Sequence, residues 1–180
     1  MAPKGQLAVD PIEEVRRQWR RRGLPASDAV RAVGSIMRAQ QVLLYRLEEL
    51  LAPLGLSFAR YEALLLLHFS QHGSLPLSRM GERLLVHPTA VTHTVDRLER
   101  QELVRRAPHP TDRRTTLAEI TDKGRAVAEE AMATLAAESF GLAGWKTADL
   151  RTLNALMKRI RREQGDFVED EHDGTTASAV

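Results

Sequence analysis

His87-Pro88-Thr89-Ala90-Val91-Thr92-His93-Thr94-Val95-Asp96-Arg97-Leu98-Glu99-Arg100 decides how the rest of this chain is read. At about 100° per residue, Val91, Val95 and Leu98 share one narrow sector, the stripe of a helix that packs on a core. Thr89, His93, Asp96, Arg97 and Arg100 fall on roughly the opposite side. Pro88 suits the first helical position, where its missing N–H would have no intrahelical partner anyway. A solvated helix of this size usually carries Glu/Lys pairs on its outer face. Here the first two turns carry Thr, His and Thr, and arginines come only later. Short polar side chains can reach base edges, and arginines beyond them can hold phosphates. Taken alone, the stretch fits a surface helix as well as a nucleic-acid reader. Its neighbours decide.

Upstream, a short helix is expected to end near Leu85, with Leu77, Met80, Leu84 and Leu85 inward. Gly81 has no side chain and allows another helix to approach closely. Val86-His87 then makes a tight turn. Two short helices joined by three or four residues form a helix-turn-helix, whose second member reads the groove. Downstream, Leu103–Pro108 and Thr115–Ile120 read as two strands flanking His109-Pro110-Thr111-Asp112-Arg113-Arg114. That is a β-hairpin, and a hairpin directly after a reading helix is a wing. An arginine at its tip can enter a narrow A·T-rich minor groove. Asp112, two residues before Arg114, is expected to aim that guanidinium through a charge-assisted pair.

Composition narrows the function classes. The chain has 180 residues, enough for one domain with an added arm. Hydrophobic residues make up 43% and aromatics only 4%, a Leu/Ala/Val core that favours helices. The absence of cysteine excludes disulfides and thiolate catalysis. No run of about 18 apolar residues occurs and no signal-peptide core leads the chain, so a cytoplasmic location without membrane attachment is expected. The net charge of +2 says little by itself. Its distribution says more: Arg97, Arg100, Arg105, Arg106, Arg113 and Arg114 make a basic middle, masked by acid at Glu163, Asp166, Glu169, Asp170, Glu171 and Asp173.

The remaining segments read as helices. Asp10-Pro11 starts one that runs to about Arg22 and docks by Ile12, Val15 and Trp19; its arginine run reads as a solvated face. Ser27 or Asp28 caps a long helix to about Ala52 with two apolar stripes, one for its own domain and one for a partner subunit. Ser57 caps a third, expected to reach about Gln71. Its His68 and His72 have a metal-chelating spacing but no third ligand, so they read as a helix-end pair. Thr121 caps an Ala-rich helix to about Phe140. Thr147 caps a last one carrying Leu150, Leu153, Met157 and Ile160. The polar, acidic tail 164–180 reads as disordered. No nucleophile–base pattern or phosphate-cradling Gly loop is present, so neither enzymatic activity nor a cofactor or resident metal is expected.

Met80-Gly81-Glu82-Arg83-Leu84, Thr89-x-x-Thr92-x-x-x-Asp96-Arg97-Leu98-Glu99, Leu103-Val104-Arg105-Arg106, Asp112-Arg113-Arg114 and Ile120-Thr121-x-x-Gly124 together resemble the multiple-antibiotic-resistance regulator (MarR) family of winged helix-turn-helix transcription factors. The resemblance spans roughly residues 29–161. It implies a mainly α fold with a small β-wing and an all-helical dimerisation region. It further implies a homodimer on a pseudo-palindromic operator of double-stranded DNA, usually a repressor, relieved by a small-molecule effector. Carried over, Thr89, Thr92 and His93 face bases, with Arg97 on phosphate. Arg114, aimed by Asp112, is the minor-groove arginine, with Arg113 on phosphate. His87-Pro88 stands where many relatives have Ser-Pro. The additional N-terminal helix with Trp19 is similar to the family's urate-responsive branch. Glu62 stands where that branch has an acidic residue, and Thr94 where it has an arginine, which argues against a purine-type ligand.

The expected organisation is an arm at 1–26, a dimerisation region at 27–56 and 122–163, a winged domain at 57–121 and the tail at 164–180. Trp19, Tyr45, Tyr61 and His68 are the candidate effector-pocket residues. The competing expectations are a sequence-tolerant architectural DNA binder and a metal-sensing regulator.

Overall fold

The computed structural model describes residues 7–112 and 114–168; the expectations for Arg113 and for most of the acidic tail lie outside them. In chain order the elements are α1 (Pro11–Arg21), α2 (Ser27–Leu51), α3 (Phe58–His68), β1 (Ser74–Pro76), α4 (Leu77–Leu84), α5 (Pro88–Arg100), β2 (Val104–Pro108), β3 (Thr116–Ile120), α6 (Asp122–Ala137) and α7 (Thr147–Glu163). Short 3₁₀ turns follow α2 at Ala52–Leu54 and α6 at Ser139–Gly141. The three strands form one antiparallel sheet in the order β1-β3-β2. The fold is mainly α with a small β-wing, as expected.

Several caps follow from local chemistry. The Asp10 carboxylate accepts from the Ile12 N–H at 2.9 Å, and the Thr121 hydroxyl accepts from the Gly124 N–H at 3.0 Å. Two expected caps are absent. Neither Ser27 nor Asp28 precedes α2: Ala26 does, in the left-handed region at φ 59, because Asp28 is drawn instead to Arg16 of α1 at 3.3 Å. Likewise Lys146, not Thr147, precedes α7. α3 stops at His68 rather than Gln71, since the chain must turn through Gly73 to reach β1. A three-residue strand follows, with Ser74, Leu75 and Pro76 opposite Glu119, Ala118 and Leu117. Pro76, lacking an N–H, is tolerated because β1 is an edge strand. α6 ends at Ala137, before the glycines, where Ser139 and Phe140 take positive φ.

The core gathers where α3, α4, α5, α6 and the sheet meet. Leu64, Leu67, Met80, Val95, Leu98, Ala118, Ala128, Ala131 and Leu135 are fully buried there. Each Leu or Val removed from water contributes about 1.5–3 kcal/mol, so this centre outweighs the rest. By contrast, α1 and α7 bury no residue completely. α1 lies on α2, with the Ile12 side chain 3.2 Å from where a Cβ of Gly34 would stand. Val33, Met37 and Val42 of α2 and Leu156 and Ile160 of α7 remain exposed. No single helix among the described residues is long and apolar enough to cross a membrane.

The junction between α6 and the hairpin has no room. A Cβ on Gly124 would lie 2.0 Å from the Leu103 carbonyl oxygen and 2.9 Å from the Ile120 side chain. Gly124→Ala should therefore destabilise the fold by about 3 kcal/mol through overpacking. A urea titration checks this, and an unchanged midpoint would mean that the junction yields freely.

Candidate nucleic-acid interface

α4 and α5 are joined by Leu85, Val86 and His87, a three-residue turn. Val91, Val95 and Leu98 are buried, as their spacing predicts, and so pin one face of α5 to the core. A Cβ on Gly81 would meet the Val91 side chain at 3.4 Å, which explains the small residue at this crossing. Leu85 departs from the expected inward set. It is 81% exposed at φ 52, because the chain leaves α4 through a left-handed residue while the Val86 N–H bonds back to the Gly81 carbonyl.

The opposite face of α5 is open. His87, Pro88, Thr89, Thr92, His93 and Arg97 are all exposed. His87 serves as the cap: its Nδ1 accepts from the Thr89 N–H at 3.3 Å and lies 3.1 Å from the Thr89 hydroxyl. An imidazole nitrogen thus does the work of a serine oxygen. The Thr92 hydroxyl donates to the Pro88 carbonyl at 3.1 Å, which leaves its lone pairs and methyl outward. His93 and Arg97 form no hydrogen bond or ion pair among the described residues.

The basic middle of the sequence is sorted by the fold. Arg106 of β2 is clamped between Asp96 and Glu99 of α5, and Glu99 also accepts from the Arg106 N–H at 3.1 Å. Arg105 pairs with Glu119, its cross-strand neighbour, at 2.7 Å. These two arginines hold the wing and are not free charge. Asp96, grouped with the open polar face by its helical angle, turns to the hairpin instead. Arg100 bends back onto the Asp96 carbonyl at 3.2 Å. A further link carries no local sequence signal: Arg60 of α3 donates to Gln101 at 3.1 Å, and Gln101 donates to the Gly55 carbonyl at 3.1 Å. Burial, then the Arg97 charge, holds the Arg60 guanidinium below its ordinary range, with Glu48 opposing.

At the wing tip Asp112 organises the turn rather than the guanidinium. Its carboxylate accepts from the Arg114 backbone N–H at 3.0 Å and from the Thr115 hydroxyl at 2.7 Å. His109 Nδ1 accepts from the Asp112 N–H at 3.2 Å. The Arg114 side chain is exposed, with no ion pair among the described residues.

The four candidate pocket residues are not brought together. Trp19 donates from Nε1 to the Pro25 carbonyl at 2.6 Å and lines a groove between α1 and α2. Tyr45 is exposed on α2, and Tyr61 is buried with its ring 5.8 Å from that of Phe58. His68 packs edge-on to Phe69 at 5.2 Å, and its buried Nδ1 has no partner among the described residues. His72 lies beyond the end of α3. Among the described residues no group of three or more His, Asp or Glu side chains is arranged to hold a metal. A cleft of about 730 Å³ instead opens between α2, α3 and α7, lined by Ile36, Leu43, Glu48, Phe58, Glu62 and Met157 among others. Residues on three separate helices line it, so no local sequence signal marks it.

A buried-backed helix with an open polar face, preceded by a short helix and followed by a β-hairpin, defines a winged helix-turn-helix protein. The MarR family model matches residues 56–116. The solved structure of Sco5413, a MarR family transcriptional regulator from Streptomyces coelicolor, is 49% identical, with a TM-score of 0.75 over 80% of this chain and 100% of that one. The chain belongs to the MarR family. The HTH-type transcriptional regulator MhqR of Bacillus subtilis (strain 168) is 41% identical over 70 residues, which are 39% of this chain and 47% of that protein, so the chain spans about half the length of this relative. Sco3205 from the same Streptomyces, solved in complex with DNA, shares the fold at 21% identity and a TM-score of 0.67, over 79% of this chain and 92% of that one.

The wing turn carries a pH signature. Hydrogen bonds from Thr115 and from the Arg114 backbone, with a minor contribution from His109, hold the Asp112 carboxyl below its ordinary value of 3.8. A depressed pKa gives stability that is present above the ordinary value and lost as pH falls through the folded one. In an NMR titration the Asp112 carboxyl carbon should therefore reach its midpoint below 3.8. A midpoint at or above that value would mean that the turn is not closed by these bonds.

Proposed function

We propose that this protein is a cytoplasmic, homodimeric transcriptional repressor that binds a pseudo-palindromic duplex operator and is released from it by a small molecule. The observation that carries the reading is α5, held on the core by Val91, Val95 and Leu98 while His93 and Arg97 stand free on its open face. In this reading the winged domain is 57–121. α5 enters the major groove. Thr89, Thr92 and His93 face base edges, with Arg97 on phosphate. His87 and Pro88 set the start of the helix, and Arg114 enters the minor groove from a turn shaped by Asp112, with Arg113 on phosphate.

Dimerisation through 27–56 and 122–163 accounts for the exposed apolar residues of α2 and α7, which an isolated chain would leave in water. A two-fold axis then presents two copies of α5 to half-sites about one helical turn apart. The arm contributes α1, which rides on α2. The cleft between α2, α3 and α7 lies between the dimerisation helices and the reading domain, where an occupant could shift one against the other. No catalytic role is assigned to any residue.

Arg114→Ala should weaken operator binding by about tenfold at fixed salt, in a mobility-shift titration. Unchanged affinity would remove the wing from the interface. His93→Ala should relax preference between operator and random duplex more than it lowers affinity for random duplex. A wild-type chain with a steep salt dependence and no such preference would instead be a sequence-tolerant binder. Ile160→Glu places a charge on the exposed face of α7. Sedimentation should show it as a monomer at concentrations where the parent chain is a dimer, and a persistent dimer would move the interface elsewhere.

A further inference from the structure

The cleft between α2, α3 and α7 has a chemistry of its own. Its volume is about 730 Å³, and its walls are mostly apolar, with Ile36, Leu43, Leu47, Phe58 and Met157 prominent. Two carboxylates, Glu48 and Glu62, line it, and no Lys, Arg or His does. The two acids are not equivalent. Glu48 lies within electrostatic reach of Arg60. Glu62 has no hydrogen bond or ion pair among the described residues. Although its side chain opens to the cleft, loss of surrounding water holds its carboxyl above the ordinary carboxylate range. An anion in this space would meet two negative groups and no positive one. A cation would neutralise Glu62, whereas Glu48 already feels the charge of Arg60.

Glu62 has a second neighbourhood. With Ala59 it also lines a small cavity of about 70 Å³ closed by Met80, Ala90, Val91 and Thr94. One face of α3 is thus shared by the cleft and by the buried side of the reading helix. A group held at Glu62 would therefore lie beside a side chain that shares a cavity with α5.

We propose that the cleft binds an organic cation: an apolar body carrying one protonated amine or amidinium, whose charged head pairs with Glu62. The proposal rests on the reading of the chain as a ligand-released regulator, but its test does not require DNA. Apolar surface fills the Ile36, Leu43 and Phe58 side, and the head group supplies the counter-charge that Glu62 lacks. Pairing draws α3 toward the cleft and changes the packing beneath Ala90 and Thr94.

Three probes with one body and different heads decide the matter: phenylbutylamine, phenylbutanol and phenylbutanoate, titrated calorimetrically into the full chain at neutral pH. The amine should bind about tenfold more tightly than the alcohol, as expected for one partly desolvated charge pair, and the carboxylate should bind weakest. Glu62→Gln should bring amine and alcohol to equal affinity while leaving the thermal unfolding midpoint near that of the parent. Ala39→Trp, which fills the cleft without altering a charge, should abolish binding of all three. A carboxylate that binds as well as the amine overturns the proposal, as does an amine preference that survives Glu62→Gln or binding that survives Ala39→Trp. So does the absence of binding by every probe, the result expected if a second chain covers the cleft. Operator binding by the unliganded chain in a parallel mobility shift keeps the regulator reading standing in each of these cases. Its loss with the probe ranking intact would overturn that reading alone.

Discussion

Arg106 is the residue on which the arrangement of this protein turns. It leaves β2 and is gripped by Asp96 and Glu99 on α5, two carboxylates one helical turn apart. The core sets the depth and rotation of α5, and through Val104, Ala118 and Ile120 it seats the base of the hairpin as well. The ion cluster adds a polar tie that joins β2 directly to α5. It is partly shielded from water, with Arg106 at 29% side-chain exposure, so it outlasts an ordinary surface pair. Arg105 and Glu119 tie the hairpin to itself, and β1 closes its other edge.

The same cluster resolves an ambiguity in charge. A run of basic residues implies a large positive field, but a field reaches a partner only from cations that the protein has not already neutralised. Arg105 and Arg106 are consumed internally. Arg97 and Arg114 stand clear, one on the helix and one at the wing tip. Among the described arginines of that run, Arg97, Arg100 and Arg114 carry no ion pair, so the charge left for a partner sits on the helix and at the wing tip. Position, not count, carries the information.

α3 connects this surface to the rest of the molecule. Tyr61, Ala63, Leu64 and Leu67 bury it against neighbouring helices, while Arg60 reaches Gln101 at the end of α5. Phe58, Ala59 and Glu62 face the large cleft. A helix that is at once core, strut and cleft wall cannot shift without moving α5, since packed interiors transmit displacement rather than absorb it.

Much of this was legible in the residues. The apolar spacing of α5, the helix-turn-helix, the hairpin, and the caps at Asp10, Ser57 and Thr121 all rest on local periodicity and short-range hydrogen bonding, which the sequence determined by itself. The departures share one cause. Ala26 precedes α2 because Asp28 is held by Arg16 of another helix. Asp112 holds a backbone N–H because the turn brings that group nearer than the guanidinium. Asp96 faces Arg106, and the pocket residues disperse while Glu48, Phe58, Glu62 and Met157 converge. Each depends on which of several polar or apolar partners comes within a few ångströms. That distance is set by how the helices cross, and no local run of sequence encodes it.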